Sequence, residues 1–156
     1  MTKYVIYGLG ISGISAAKFF AKNGEVVIAT DDNEKTIADD KIKFADERIK
    51  FLKSDEVEYD ADTVISFSPG IPLFHPKPHK ILEIVKKTGA QLVCDIEIFY
   101  QKNSQNNFIG ITGTNGKSTT TALTGFVLKE LGIDAEIGGN IGVPCFDLPT
   151  GANKTY

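Results

Sequence analysis

Short β-branched runs alternate with amphipathic helical patterns along the first part of the chain, and this alternation restricts the fold more than any other feature. The strand patterns are KYVIYG, EVVIAT, ADTVISFS and QLVCD, and the helix patterns SGISAAKFFAKNG and KILEIVKKTG end at Gly24 and Gly89. Strands joined by helices run parallel, because each crossover returns the chain to the same edge of the sheet. The sequence therefore predicts a Rossmann-like, doubly wound parallel α/β sheet.

Two segments of this first region lack a regular pattern. The charged stretch from Asp31 to Lys50 carries little apolar periodicity, so we expect a solvated loop with a weak helix before IKFL. The segment PGIPLFHPKPH contains four prolines, which exclude both helix and regular strand. We expect a shaped loop there.

A glycine-rich turn, GLGISG, follows the first strand from Gly8 to Gly13. Its Gly-x-Gly-x-x-Gly spacing allows the backbone to approach a diphosphate at a helix N-terminus. An acidic residue, Asp31 or Asp32, ends the second strand, where a dinucleotide fold binds a ribose. Taken alone, this turn indicates NAD or FAD binding.

A second glycine-rich turn lies in FIGITGTNGKSTTTALTG, between the strand pattern NNFIGIT and a helix pattern that starts near Lys117. Backbone N–H groups and the helix dipole favour an anion there. Lys117 is suited to the outer phosphates of a nucleoside triphosphate, and the Ser118 hydroxyl is suited to its Mg²⁺. Ile111 occupies the place of the first glycine of the general P-loop pattern, so this loop is a variant.

The chain is predicted to contain one complete domain and part of another. Residues 1–100 form the Rossmann-like domain, the polar segment 101–106 is a linker, and 107–156 begin a P-loop ATPase domain that is cut off. The roughly two strands predicted in 107–156 cannot by themselves bury both faces of a parallel sheet, so we expect this second domain to be incomplete.

Composition excludes several classes of function. The net charge is −3 and the basic residues are scattered, which argues against nucleic-acid binding. No apolar run is long enough to span a membrane and no cleavable signal is recognised, so we expect a cytoplasmic protein. Cys94 and Cys145 lack metal-ligand spacing and are predicted to be small buried thiols.

Several motifs together resemble the Mur ligases: GITGTNGKSTTT, GGNIG, GLGISG, SPGIP and DIEIF. The resemblance extends over all 156 residues and favours the members that add D-glutamate. It implies ATP-dependent ligation of D-glutamate to UDP-N-acetylmuramoyl-L-alanine through an acyl phosphate, with ATP and Mg²⁺ as cofactors. It also implies a monomeric enzyme with no nucleic-acid or membrane partner.

The resemblance assigns site residues position by position. It implies catalytic roles for Lys117 and Ser118, with Ser118 on the metal. The implied ATP-binding residues are Gly113, Thr114, Asn115, Gly116, Lys117, Ser118 and Thr119. The implied UDP-substrate residues are Gly10, Ile11, Ser12, Asp32, Asn33, Ser68, Pro69, Gly70 and Asn140.

Two departures from the family pattern matter. Asn33 stands where some members have an arginine, which puts a cation contact in doubt. The family's Mg²⁺-binding glutamate and histidine, its carbamylated lysine and its third domain would lie after Tyr156. We therefore expect this chain to be inactive alone.

Two other functions remain open at this point. The first domain could be the NAD-binding module of an oxidoreductase, with an incidental second turn. Alternatively, the chain could be a regulatory nucleotide sensor without chemistry.

Overall fold

The computed structural model describes residues 2–44, 46–140 and 142–156. The chain divides into two compact units, Met1–Asp95 and Ile96–Tyr156.

A five-stranded parallel sheet forms the centre of the first unit. Its strands are β1 (Lys3–Tyr7), β2 (Val27–Thr30), β3 (Ile49–Phe51), β4 (Thr63–Phe67) and β5 (Gln91–Val93), in the order β3-β2-β1-β4-β5. In the register, Tyr7 pairs with Thr30 on one side and with Phe67 on the other. Because β2 and β3 extend the sheet in one direction and β4 and β5 in the other, the strand order reverses between β1 and β4. This reversal is where open α/β sheets bind ligands.

Helices cover both faces of the sheet. They are α1 (Ile11–Lys22), α2 (Glu34–Lys43) and α3 (Ile81–Thr88). Successive side chains of a strand point to opposite faces. On β1, the Tyr4 ring lies 4.3 Å from the Phe20 ring of α1, whereas Val5 and Tyr7 share a buried core with Ile81 of α3. The prediction of a doubly wound parallel α/β fold is confirmed.

The predicted end of α3 is also confirmed. The helix stops at Thr88, and Gly89 is its C-cap in a left-handed conformation with φ of 76°. Glycine adopts this conformation without the steric cost that a Cβ imposes.

The stretch after β2 is more regular than the sequence indicates. The sequence predicted a solvated loop with a weak helix before IKFL. A helix is present there, but α2 is regular over ten residues. The side chain of Asn33 accepts a hydrogen bond from the Lys35 N–H at 3.1 Å and caps the helix. Ile37 and Asp40 are buried three positions apart. Capping and a narrow buried face stabilise a helix whose apolar periodicity is weak.

The second unit contains two α-helices within the described residues, α4 (Asp95–Lys102) and α5 (Lys117–Glu130), and a 3₁₀ turn at Cys145–Asp147. A strand was predicted in NNFIGIT. Instead, Asn107 and Ala135 each form an isolated parallel bridge with Thr155. The Ile109 N–H also donates to the Tyr156 carbonyl at 2.8 Å. Three short segments therefore lie side by side without regular strands.

An aromatic cluster places α4 in this second unit. The buried Phe99 ring makes edge contacts with Tyr156 at 5.0 Å, Phe146 at 5.7 Å and Phe108 at 6.1 Å. Asn103 and Asn106, in the segment predicted to be a polar linker, are buried. The first unit ends at Asp95 and the second begins at Ile96, whereas the linker was predicted at 101–106.

No helix in the described ranges is both long and apolar enough to cross a membrane. Cys145 is buried, as predicted, but Cys94 is exposed, so the prediction of a buried thiol is wrong at that position. Cys94 follows the end of β5, where the strand leaves the core.

Candidate functional site

The first glycine turn is packed tightly against the end of β4. Gly8 has φ of 102°, and a Cβ on it would lie 2.5 Å from the Ser68 Cβ. A Cβ on Gly13 would lie 1.9 Å from the Gly8 carbonyl oxygen. No larger side chain fits at either position without moving the backbone. The Gly8–Gly13 turn and Ser68 are therefore neighbours at the point where the strand order reverses.

Asp31 fixes this turn to the end of β2. Its Oδ2 accepts a hydrogen bond from the Leu9 N–H at 2.8 Å, and its Oδ1 accepts one from the Asn33 N–H at 2.9 Å. Sequence left open whether Asp31 or Asp32 faces a ligand. The contacts of Asp31 are those of a residue that orders the loop backbone.

Asp32 lies among three side-chain donors. Tyr7 Oη and Lys80 Nζ lie 2.7 and 2.9 Å from its Oδ1, and His79 Nε2 lies 2.7 Å from its Oδ2. Burial disfavours the charged carboxylate, but the hydrogen bonds from Lys80, Tyr7 and His79 outweigh it and lower the Asp32 pKa to about 2. Burial and the hydrogen bond to Asp32 raise the Tyr7 pKa. Asp32 is therefore ionised at neutral pH, and the three donors hold its carboxylate in place.

Most of the predicted UDP-substrate residues follow three adjacent strands, β2, β1 and β4. Gly10 is the N-cap of α1, Ile11 is exposed in its first turn, and Ser12 follows it. The remaining residues follow β2 (Asp32 and Asn33) and β4 (Ser68, Pro69 and Gly70). The carboxyl ends of parallel strands share one edge, so these residues lie along it. Asn140 belongs to the second unit.

The helices that follow the two glycine turns have open N-termini. Gly10 and Gly116 are the N-caps of α1 and α5, and neither helix has a side-chain cap or an acidic residue in its first turn. By contrast, α2 is capped by Asn33 and carries Glu34 in its first turn. Uncapped N–H groups without acidic neighbours favour an anionic ligand. Both helix N-termini are therefore without a side-chain cap and without an acidic neighbour.

In the second turn, Lys117 folds back over its own loop. Gly113 and Gly116 have φ of 150° and 77°. The Lys117 ammonium donates to the Gly113 carbonyl and, at 3.3 Å, to the Thr114 carbonyl. These carbonyls are exposed partners, which a phosphate could replace.

The other predicted ATP-site residues are exposed around this lysine: Thr114, Asn115, Ser118 and Thr119. A lysine, a hydroxyl and open backbone N–H groups are a donor set that suits a triphosphate with Mg²⁺, which is usually held by few protein oxygens. The residues present fit these groups.

Sequence reasoning missed Tyr7, His79 and Lys80. Tyr7 reads as an ordinary core residue of β1, and it is buried. His79 ends the proline-rich loop and Lys80 is the N-cap of α3. One signal in the sequence could have indicated His79 and Lys80. The proline-rich loop follows β4, so it begins at the sheet edge that carries the glycine turn.

A family model described as the N-terminal domain of MurD-like Mur ligases matches residues 2–93. Among solved structures, a murein peptide ligase of Psychrobacter arcticus aligns with a TM-score of 0.47 at 18% identity, covering 86% of this chain and 28% of that one.

Curated relatives match nearly the whole chain. A UDP-N-acetylmuramoylalanine–D-glutamate ligase of Rhizobium johnstonii is 38% identical over 99% of this chain and 33% of its own length. Ligases of the same name from Mesorhizobium japonicum and Wolbachia sp. subsp. Brugia malayi are 42% and 36% identical over 88% and 92% of this chain. The alignments cover 29% and 28% of those two proteins. The chain therefore spans about a third of the length of the curated relatives it matches. Because the family model matches more than half of the chain, this chain belongs to the MurD-like Mur ligases.

Proposed function

We propose that this chain supplies the UDP-sugar-binding domain and the ATP-phosphate loop of an enzyme that joins D-glutamate to UDP-N-acetylmuramoyl-L-alanine. One observation carries the proposal. Two glycine turns, each leading into an uncapped helix, occur in one chain of the MurD-like family. One turn serves the diphosphate of the UDP-sugar, and the other serves ATP.

The first unit binds the UDP-sugar in this proposal. The open N-terminus of α1 receives the diphosphate, with Gly10, Ile11 and Ser12 against it. The residues after β4, namely Ser68, Pro69 and Gly70, lie beside that turn. Asp32 takes the nucleoside. Asn33 contributes at most backbone groups, because its side chain caps α2. Asn140, in the second unit, contacts the muramoyl portion.

The second unit binds ATP through the loop from Gly113 to Thr119. Lys117 leaves its loop carbonyls and neutralises charge on the outer phosphates. The Ser118 hydroxyl would hold Mg²⁺, which would supply further charge neutralisation there. The open N–H groups of α5 orient the phosphates.

The chemistry explains why a phosphate loop and a sugar-nucleotide domain belong together. A carboxylate is a poor electrophile, since its negative charge repels an amine. Transfer of a phosphoryl group from ATP to the L-alanyl carboxylate gives an acyl phosphate and ADP. The D-glutamate amine then attacks the carbonyl carbon, an amide bond forms, and inorganic phosphate and a proton leave. The protein holds the reactants in line and stabilises the transferring charge.

We expect the chain by itself to have no ligase activity. The exposed side of α5 includes Leu123 (61% exposed), Phe126 and Leu131 (70% exposed). Apolar side chains on one helix usually pack against further protein. Together with the length of the relatives, this exposure supports a requirement for additional domains. Because the reaction consumes ATP, we propose a cytoplasmic location, with the complete enzyme acting as a monomer.

The first experiment compares UDP with NADH as ligands of this chain. Isothermal titration calorimetry should detect UDP binding in the millimolar range or tighter, and weaker or absent NADH binding. NADH binding without UDP binding would contradict the proposal and favour an oxidoreductase domain.

The second experiment tests the activity in a chimera. Here the chain replaces the matching N-terminal third of the Rhizobium johnstonii enzyme. We expect phosphate release that requires ATP, UDP-N-acetylmuramoyl-L-alanine and D-glutamate together. A soluble, folded chimera without such release would count against the proposal.

A further inference from the structure

Two contacts join α1 and α2 at different points along their length. Near the N-termini, Asp31 accepts hydrogen bonds from the Leu9 N–H, just before α1, and from the N–H of Asn33, the N-cap of α2. Further along, the Lys18 ammonium of α1 lies 4.0 Å from the centroid of the Phe44 ring, at the C-cap of α2. A cation over an aromatic face is attracted by the ring. One lysine therefore links the far ends of two helices that begin at the same sheet edge.

Asp40 lies one helical turn before Phe44 on α2. The Phe44 N–H donates to the Asp40 carbonyl at 2.9 Å, so the turn between the two residues is closed. Asp40 is only 7% exposed, and among the described residues its Oδ2 is buried and has no hydrogen-bond partner. A buried carboxylate oxygen without a donor is costly when the group is ionised. The observed arrangement therefore suits the protonated carboxyl group better than the carboxylate.

Charged groups from three elements surround Asp40. Burial raises the pKa of its carboxyl group above the ordinary 3.8, and the carboxylates of Asp39, on α2, and Asp31, after β2, raise it further. The ammonium groups of Lys43, on α2, and Lys18, on α1, lower it. Lys18 is thus the cation that faces Asp40 from the neighbouring helix, and the ionised carboxylate attracts it.

We propose that Lys18 and Asp40 form a proton-dependent latch between α1 and α2. When Asp40 is protonated, the Lys18 ammonium stays over the Phe44 ring. When Asp40 releases its proton to solvent, the ammonium moves to Oδ2 and donates a hydrogen bond there. Side chains four positions apart on a helix have Cβ atoms about 5–6 Å apart, and the flexible lysine stem spans that distance without moving the backbone. The contact between α1 and α2 consequently changes with acidity, whichever ligand the first unit binds.

NMR on the full chain tests the latch without any substitution. The Asp40 carboxyl carbon reports ionisation, and the Lys18 ε-methylene protons report the Phe44 ring, because an aromatic face shields protons above it. Between pH 4 and pH 7.5 these protons should lose most of their shielding, with the same midpoint as the Asp40 carbon. The ε-protons of Lys22, exposed one turn later on α1, should show no change at that midpoint. Constant shielding of Lys18 over this range would overturn the proposal.

Double-mutant cycles measure the two positions of Lys18 separately. Lys18→Met combined with Phe44→Leu should show a coupling of about two- to fivefold in the folding equilibrium constant at pH 4, and none at pH 7.5. Lys18→Met combined with Asp40→Asn should show a coupling of about that size at pH 7.5, and none at pH 4. Lys22→Met in place of Lys18→Met is the control and should show no coupling at either pH. Urea denaturation supplies the equilibrium constants.

Asp40→Asn alone has an expected sign. Because the pKa of Asp40 is raised in the folded chain, its ionisation destabilises the fold above that pKa, and the penalty disappears as the pH falls towards the unfolded value. The variant should therefore have a higher urea midpoint than wild type at pH 7.5, and the gain should shrink at pH 4. Asp39→Asn, at the exposed neighbouring position, should give no such pH-dependent gain.

The outcomes separate the latch from the proposed function, since none of them depends on UDP or ATP. Equal coupling between Lys18 and Phe44 at both pH values would mean that the lysine does not leave the ring, and the latch would be wrong. A midpoint of Lys18 that differs from that of the Asp40 carbon would also overturn it. If a variant does not fold, the NMR titration of the unmodified chain still decides the question.

Discussion

Gly13 is buried against the Gly8 carbonyl oxygen, and this contact decides which glycine of the first turn can be replaced. Gly13→Ala places a Cβ 1.9 Å from that oxygen, so the backbone must move. We expect a loss of at least about 3 kcal/mol of stability. Gly10→Ala is the matched control. Gly10 has φ of −71° and open space around it, so its replacement should cost below about 1 kcal/mol.

Urea denaturation followed by circular dichroism measures both glycine variants. Equal stability of the Gly13→Ala and Gly10→Ala proteins would mean that the turn does not have this close contact in solution.

Asp32 makes stability depend on pH in the acidic range. Its pKa is about 2 in the folded chain, against an ordinary 3.8. A lowered folded pKa stabilises the protein above the unfolded value, and this stabilisation disappears as the pH falls from about 5 towards 2. Asp32→Asn should therefore cost about 1 kcal/mol at pH 7, after allowance for screening of a 40% exposed group. The difference from wild type should shrink on acidification.

Chemical denaturation at pH 7, 5 and 3 checks this dependence. A difference between wild type and Asp32→Asn that stays constant over these three pH values would show that ionisation of Asp32 does not contribute.

Single residues also show where prediction from sequence ends. The glycine spacing and the acidic ends of strands are local patterns, and they located the edge that carries Gly8 and Asp31. Whether Asp31 or Asp32 faces outward depends on which backbone N–H groups lie within reach. His79 contacts Asp32 across 47 positions of sequence, and no local pattern encodes that distance.

At the scale of elements, apolar periodicity predicted α1 and α3 clearly and indicated only a weak helix where α2 lies. α1 and α3 have clear periodicity, whereas α2 depends on its Asn33 cap and two buried positions. In the second unit, the segments at Asn107 and Ala135 form only isolated bridges to Thr155. A regular strand needs a neighbouring strand with which it forms a continuous ladder of hydrogen bonds, and strand propensity alone cannot supply one.

Asn106 is expected to be the main polar connection among these short segments. Its Nδ2 donates to the Gly151 carbonyl at 2.8 Å, and its Oδ1 accepts from the Lys154 N–H at 3.0 Å. The residue is buried, so Asn106→Ala leaves two backbone groups without their partners and should cost about 2 kcal/mol. The exposed neighbour Gln105→Ala should cost less than about 0.5 kcal/mol.

Amide hydrogen exchange reports on Asn106 directly. Exchange at Lys154 and Tyr156 should accelerate in Asn106→Ala and remain as in wild type in Gln105→Ala. Unchanged protection in Asn106→Ala would mean that the bridges to Thr155 hold the segment without that side chain.

For the whole molecule, we propose that the first unit binds UDP and the second unit binds ATP. A variant in one unit should therefore change the binding of only one of these nucleotides. Lys117 contacts carbonyls of its own loop, whereas Asp32 and its donors lie in the first unit. Lys117→Ala should leave UDP binding within twofold of wild type. Asp32→Asn should weaken UDP binding without changing ATP binding.

Lys117→Ala provides the decisive whole-molecule test, because its effect on folding and its effect on catalysis are expected to differ in size. A cation at a helix N-terminus is unfavourable to the helix dipole by about 0.3–1 kcal/mol, and the exposed bonds to the Gly113 and Thr114 carbonyls offset that cost. Stability of the chain should therefore change by less than about 0.5 kcal/mol. In the active chimera, loss of a preorganised phosphate cation should slow phosphate release about 100-fold or more. Lys129→Ala, an exposed lysine in the last turn of the same helix, is the matched control for both measurements. Release within threefold of the unmodified chimera, or unfolding of the Lys117→Ala chain, would mean that this turn is not the site of the transferred phosphate.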